Sequence, residues 1–265
     1  IGSWLTSYLV CLFDRYETIK TIIIKYNLDN LQSRVFNYKD NDFIPEQTRD
    51  FTSNFSFKNS WSHWINYNLI KFFQIKFKEI DYEKKKIDPL SLRINQVNKK
   101  NNLLSNIFGL FNRGTNYFLN PKLFIHETYM PVFLKLKLLY FSKSLPTIPI
   151  KYFYEKTDLE FDDEFRKKKI KTKNDSFVEF AKSMVFKNIP KSFVEDFLVN
   201  KKKIKKFGWP SNPNNVLTSI GQYYNEYFKI YIAEKKLLNC KFLISQHGGM
   251  YGTAKFSFGE FLKKK

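Results

Sequence analysis

Three glycines fall within five positions of the segment Phe242-Leu243-Ile244-Ser245-Gln246-His247-Gly248-Gly249-Met250-Tyr251-Gly252, in a chain with nine glycines among 265 residues. An apolar run that empties into such a loop restricts the fold more than any other stretch. Glycine tolerates positive φ and lets the backbone approach a ligand closely, so the loop can turn N–H groups toward a phosphate or sugar. Upstream, Asn215 to Ser219 reads as a short strand, Gly221 as a turn, and Tyr223 to about Leu238 as a helix. Tyr224, Tyr227, Tyr231 and Leu238 share one side of that helix; Asn239 closes it before the strand Lys241 to Ser245. Strand, helix, strand is the order of a parallel sheet. Open α/β sheets bind ligands at the carboxyl ends of their strands. A lone glycine-rich loop is a weak signal and can be a plain turn with a surface histidine. Its place at a strand end favours the functional reading.

The same grammar extends upstream. Asn116 to Leu119 and Phe124-Ile125 read as a short strand and a loop carrying His126-Glu127. An apolar helix follows from Pro131 to Ser142, with Phe133, Leu136 and Tyr140 aligned, and Leu145 to Ile150 then turns into an extended segment. The expected fold class is α/β, with a Rossmann-like parallel sheet in residues 115–265 and a mainly helical region in 1–114. Leu5, Leu9, Leu12, Tyr16, Ile19 and Ile23 step along one face of a helix over 4–26. Asp14-Arg15 beside that stripe reads as a partly buried ion pair or, more commonly, as a solvated edge. Residues 31–56 read mostly as loop, and Ser60 as the cap of a helix with Trp64, Asn68, Phe72 and Ile75 inward. Residues 78–114 look like a variable Lys- and Asn-rich insertion. Residues 155–174 look like a charged linker, leading to a helical hairpin over 176–198.

A hydrophobic share of 43%, with 18% aromatic, supplies a real core and rules out a disordered tail. The net charge of +20 invites a polyanion partner. However, Lys, Asn, Ile, Phe and Tyr are all abundant, as A/T-rich codons alone would make them. The lysine runs at 84–86, 167–169 and 201–203 are also scattered. The expectation is therefore no nucleic acid, but attraction to an anionic membrane or a phosphorylated substrate. Cys11 and Cys240 sit in apolar surroundings without metal spacing, as in a reduced cytosolic protein. The apolar run from Trp4 to Phe13 is too short for a bilayer, which needs about 20 residues. Asp40-Asn41-Asp42 has no strand leading into it, and His63, His126 and His247 lie far apart, so no metal is expected. The chain opens on Ile1-Gly2-Ser3 and stops at three lysines, which reads as a piece of a longer protein.

Ile1-Gly2-Ser3-Trp4-Leu5 followed by Leu12-Phe13-Asp14-Arg15-Tyr16 resembles the start of the middle portion of a transferase family found in bacterial O-antigen and surface-polysaccharide gene clusters. That family is similar again at Thr218-Ser219, at the helix Phe228 to Lys235, at Gln-His-Gly-Gly-x-Tyr-Gly, and at Phe256-Ser257-Phe258. Its members look like nucleotide-sugar-dependent glycosyltransferases with two facing Rossmann-like domains, the GT-B arrangement. The resemblance implies that this chain carries one such half and lacks the second α/β domain. It implies a cytoplasmic enzyme, peripheral at the inner membrane, acting on a glycan or lipid-linked glycan acceptor. No tightly bound cofactor is implied beyond the nucleotide sugar itself. His247 would meet a hydroxyl or the leaving-group charge. Gln246, Gly248, Gly249, Tyr251, Gly252 and Ser219 would bind substrate. Glu226 is the first candidate base, beside Glu127 and Asp14. Two alternatives stand next to this reading: a non-enzymatic basic module for anionic membrane or nucleic acid, and an inactive truncated remnant.

Overall fold

A computed structural model describes residues 2–27, 33–81, 102–119, 121–148, 154–155, 157–167 and 176–245. The Gln246–Gly252 loop, and most of the 78–114 insertion, lie outside the described residues. Within them the chain is mixed α/β, with short parallel sheets as the Rossmann-like expectation requires. It divides into two compact units, each assembled from two stretches of sequence. One comprises 1–98 and 156–197, the other 99–155 and 198–265.

The first unit is built on the helix Gly2–Tyr26, which buries Trp4, Tyr8, Leu12 and Tyr16. Leu12 and Tyr16 belong to the stripe expected from sequence, but Trp4 and Tyr8 take the places expected for Leu5 and Leu9, which with Ile19 and Ile23 pack only partly against the core. Both stripes have helical spacing, and the larger aromatic surfaces take the centre. Trp4 stacks on Tyr8 at 5.0 Å, and the Asn59–Phe72 helix adds Trp61, Trp64, Ile65 and Leu69. Ser60 does not cap that helix: Lys58 occupies the cap position and Ser60 is buried. Residues 31–56 are more regular than expected. They hold the strand β1 (Ser33–Phe36), a turn of 3-10 helix at Asp40–Phe43 and the helix Thr48–Phe57. β1 pairs in parallel with β2 (Phe77–Ile80), a partnership between distant segments that local pattern does not reveal.

The break near residue 114 read from sequence differs from these units, because 156–197 returns to the first core. Phe180, Met184 and Ile189 join the same aromatic cluster. Arg166, at the end of the short helix Asp163–Arg166, donates to Glu195 through Nε and Nη2, both at 2.7 Å, and through Nη1 to the Ile189 carbonyl at 3.0 Å. Lys191 donates from its backbone to Pro45 at 2.9 Å and from Nζ to Leu159 at 3.0 Å. The Lys191 N–H on Pro45 and the pairing of Lys187 with Asp40 tie the segment to the N-terminal region.

The second unit holds a three-stranded parallel sheet: β3 (Leu123–Ile125), β4 (Asn215–Thr218) in the centre, and β5 (Lys241–Ile244). Ile125, Leu217 and Leu243 lie in register across it. The helix Glu226–Leu237 crosses from β4 to β5 and buries Tyr227, Phe228, Ile230 and Tyr231 against Phe124 and Val216. Asn116 to Leu119, expected as strand, instead ends the helix Asn102–Leu119. Side-chain amides hold that helix in place: Asn112 exchanges two hydrogen bonds with the backbone of Ile148, and Asn116 donates to the Gly208 carbonyl. Gly208 itself has φ +69, and a Cβ there would stand 2.4 Å from the Gly109 carbonyl oxygen, so no other residue fits without movement.

Candidate functional site

The carboxyl ends of β3, β4 and β5 bring a group of polar side chains to one edge of the sheet. Beyond β3 the chain holds its register for one residue, as the His126 N–H donates to the Leu217 carbonyl at 2.9 Å. Glu127 then turns into the left-handed region, at φ +47. A side chain in that conformation costs free energy and persists where its surroundings over-determine it. Here the Glu127 carbonyl accepts the N–H groups of Ser219 at 3.0 Å and Ile220 at 3.3 Å, which locks the corner of β3 onto the end of β4.

The end of β4 is equally constrained. Thr218 Oγ1 accepts the Gly221 N–H at 3.0 Å. A Cβ on Gly221 would stand 2.8 Å from the Phe228 ring, so the turn lets the following helix pack close. Ser219 is buried, and its Oγ lies 2.6 Å from Ser245 Oγ at the end of β5. The Ser245 N–H donates to the Thr218 carbonyl at 2.8 Å. Two hydroxyls from neighbouring strands thus meet where the chain enters Gln246-His247-Gly248-Gly249.

Asn225 completes the edge. Its Oδ1 caps the Glu226–Leu237 helix by accepting the Phe228 N–H at 3.0 Å. Its Nδ2 donates to Glu127 Oε1 at 2.8 Å and lies 3.2 Å from His126 Nε2. The His126 ring stacks on Phe228 at 4.8 Å and meets Trp209 edge-on at 5.0 Å, which fixes its plane. His126 Nε2 is 3.5 Å from Glu127 Oε1. Glu127 is the more exposed of the two, so a carboxylate oriented by an amide and flanked by an imidazole faces outward, ready to take a proton from a hydroxyl.

Glu226 lies elsewhere than a reachable base would. Its side chain is fully buried and pairs with Lys229 at 3.1 Å, one turn along the helix. Burial lowers the Lys229 ammonium below its ordinary range, and the Glu226 carboxylate pulls it partly back. Of the sequence-predicted site residues, Ser219 stands at the edge, Glu226 sits in the interior, and Gln246, His247, Gly248, Gly249, Tyr251 and Gly252 lie outside the described residues. Asn225, His126 and Ser245 were missed as site members. Asn225 carried a readable signal, a capping residue just before the helix.

The remaining chemical motifs are structural. Asp40 accepts the Trp64 Nε1–H at 3.0 Å and pairs with Lys187 at 3.1 Å. His63 packs edge-on against Phe36. Asp14 and Arg15 pair at 3.3 Å on the surface, the solvated edge expected. Both cysteines are free thiols, and burial pushes Cys11 up to about 11 and raises Cys240. Among the described residues, no three His, Cys, Asp or Glu side chains converge as a metal site, and no helix is long and apolar enough to cross a membrane. A cavity of about 460 Å³ lined by Asn212, Asn214, Asn239 and Lys241 opens at the opposite end of the strands, away from this cluster.

No curated protein and no solved structure matches the chain. A family model does, over residues 1–265 and thus its whole length. The α/β fold and its parallel-sheet edge accord with that match, and the protein belongs to the LIC12162 family of transferases.

Proposed function

We propose that the transferred group is a sugar, moved from a nucleotide-activated donor to a hydroxyl of a glycan or lipid-linked glycan in surface-polysaccharide or O-antigen assembly. The observation that carries the reading is the Glu127–Asn225–His126 cluster beside Ser219 and Ser245, at the edge that leads into Gln246-His247-Gly248-Gly249. In the transfer, the acceptor oxygen bonds to the anomeric carbon and the bond from that carbon to the donor phosphate breaks. The acceptor proton passes to Glu127, and the diphosphate leaves with the bonding electrons. Asn225 and His126 hold the Glu127 carboxylate in position. Ser245 offers its hydroxyl to the sugar or phosphate, and the buried Ser219 hydroxyl holds it in place. His247 and the Gly248 and Gly249 N–H groups are assigned to the leaving charge, and Gln246, Tyr251 and Gly252 to substrate contact. Glu226, neutralised by Lys229, holds the start of the helix instead of acting as base.

The nucleotide sugar is a co-substrate in this reading, with no resident cofactor or metal, and the enzyme works on the cytoplasmic side, where such donors are made. The test is release of nucleotide from a panel of nucleotide sugars supplied with glycan acceptors. Glu127→Gln is expected to lower turnover roughly 100-fold or more with an unchanged melting temperature. His247→Ala is expected to do the same. Wild-type turnover in both variants would remove the edge from the chemistry. Failure of every nucleotide sugar to raise the melting temperature would remove the donor class.

A further inference from the structure

The helix Val132–Phe141 has apolar residues on nearly every side, yet among its ten residues only Leu139 is buried. Phe133 is 72% exposed and Tyr140 80%, with Val132 and Phe141 close behind. An exposed apolar surface of this extent marks a docking site. Its charge is one-sided: residues 128–148 contain three lysines, at 135, 137 and 143, and no Asp or Glu.

We propose that this helix docks the protein on an anionic lipid bilayer, lying in the headgroup plane. Ten residues of helix span about 15 Å, half of the hydrocarbon thickness, so the helix lies on a bilayer and does not cross it. Lysine is depleted from the cores of protein interfaces, whereas Lys135 and Lys137 stand within the apolar run. At a lipid surface their stems lie along the acyl boundary and their ammonium groups reach the headgroups. Exposed Phe and Tyr side chains suit the same depth. Lys135 also donates to the Thr128 carbonyl at 3.4 Å, which ties the first turn to the segment leaving β3. That segment begins at His126-Glu127, so docking holds the polar sheet edge beside the bilayer. The further consequence, an acceptor presented from the lipid, rests on the proposed function; the docking does not.

The test is co-sedimentation of the purified protein with phosphatidylcholine vesicles, with and without phosphatidylglycerol. Binding is expected to need phosphatidylglycerol and to weaken as salt rises. Lys137→Gln and Lys143→Gln are each expected to reduce partitioning about fivefold. Phe133→Ser and Tyr140→Ser are expected to reduce it roughly tenfold or more each, with circular dichroism unchanged. Where an apolar variant fails to fold, the lysine variants decide. The proposal is overturned if the protein stays in the supernatant with anionic vesicles at low salt. It is equally overturned if partitioning is indifferent to both sets of variants. Dimerisation through Tyr140 without lipid binding would assign the surface to a second copy instead. Loss of vesicle binding alongside intact transfer to a soluble acceptor would separate this inference from the function proposed above.

Discussion

Among the described residues, the unit formed by 1–98 and 156–197 buries Arg166, Lys191 and Asp196, while the other buries Glu226 against Lys229 and also brings a set of polar side chains to the ends of three strands. In the first, each buried charge is answered in place. Arg166 meets both oxygens of Glu195, Lys191 meets the Leu159 carbonyl, and Asp196 bonds the Thr157 hydroxyl. In the second, Asn225 links His126 and Glu127, the Ser219 N–H donates to the Glu127 carbonyl, and Ser219 meets Ser245, a chain that reaches solvent at Glu127. A closed network has no donor or acceptor left for a ligand, so its effect is on folding. An edge cluster keeps a carboxylate in reach of water, so it can act on what binds. The second unit holds a closed pair of its own, Glu226 with Lys229, so what sets it apart is the open edge and not a lack of buried charge.

The largest expected effect comes from opening the closed network. Arg166→Ala would strand Glu195 in the interior and remove the donor to the Ile189 carbonyl. Breaking a buried pair from one side costs about 3–5 kcal/mol, which should appear as a large drop in the denaturation midpoint. A change below about 1 kcal/mol would class the pair with surface bridges and erase the contrast. Next in size is Gly208→Ala in the second unit, where positive φ and a Cβ 2.4 Å from a carbonyl oxygen combine. A loss of about 1–3 kcal/mol is expected, measured by thermal unfolding. It would show that this unit depends on close backbone approach where the other depends on charge.

The β-α-β unit over 215–245 was legible because it is local: an apolar strand, a capped helix and a second apolar strand follow within one crossover. Its strands stand where the pattern puts them, while the helix expected from Tyr223 is broken at Asn225 and runs Glu226–Leu237. The first helix was legible in extent, and Leu12 and Tyr16 face inward as expected, but two apolar stripes share the same spacing and only core packing, as of Tyr8 on Trp61, selects Trp4 and Tyr8 over Leu5 and Leu9. The last turn of Asn102–Leu119 was misread as strand because the bonds that hold it, from Asn112 to Ile148 and from Asn116 to Gly208, join segments far apart in sequence. The site follows the same division. Ser219 was visible at a strand end. The pairing of Asn225 with Glu127 spans 98 positions, and no local pattern encodes it. Glu226 drew attention as an acid near the loop strand, but its burial against Lys229 depends on which side of the helix faces inward.

A smaller effect reads the closed network through pH. Burial alone would raise the Glu195 carboxyl, but the hydrogen bonds from Arg166 and the Asp162 N–H outweigh it, so the group is held below the ordinary glutamate range. A folded-state pKa below the unfolded one contributes stability above the unfolded value, which is lost as pH falls through the folded value. Stability should therefore decline on acidification below the ordinary glutamate range, and Glu195→Gln should flatten that decline in acid titrations. An unchanged slope would mean that Glu195 is not the group that titrates.

The smallest expected effect on stability tests the open cluster, and it is the most discriminating. Ser219→Ala removes one hydroxyl from the 2.6 Å pair with Ser245 and the acceptor for the Tyr129 N–H at 3.3 Å. Losing such bonds costs about 0.5–1.5 kcal/mol each, so the protein should remain folded at room temperature. If the edge is a ligand site, the same variant should weaken nucleotide-sugar binding more than it weakens the fold, because the buried hydroxyl positions that of Ser245 for the ligand. Equal losses in binding and stability would make Ser219 a strand-end brace and no more. Binding unchanged, with the full stability loss, would confine the ligand to the Glu127 side of the edge. A binding deficit well above the stability deficit is the outcome that keeps the two units distinct in role, one closed for folding and one open for chemistry.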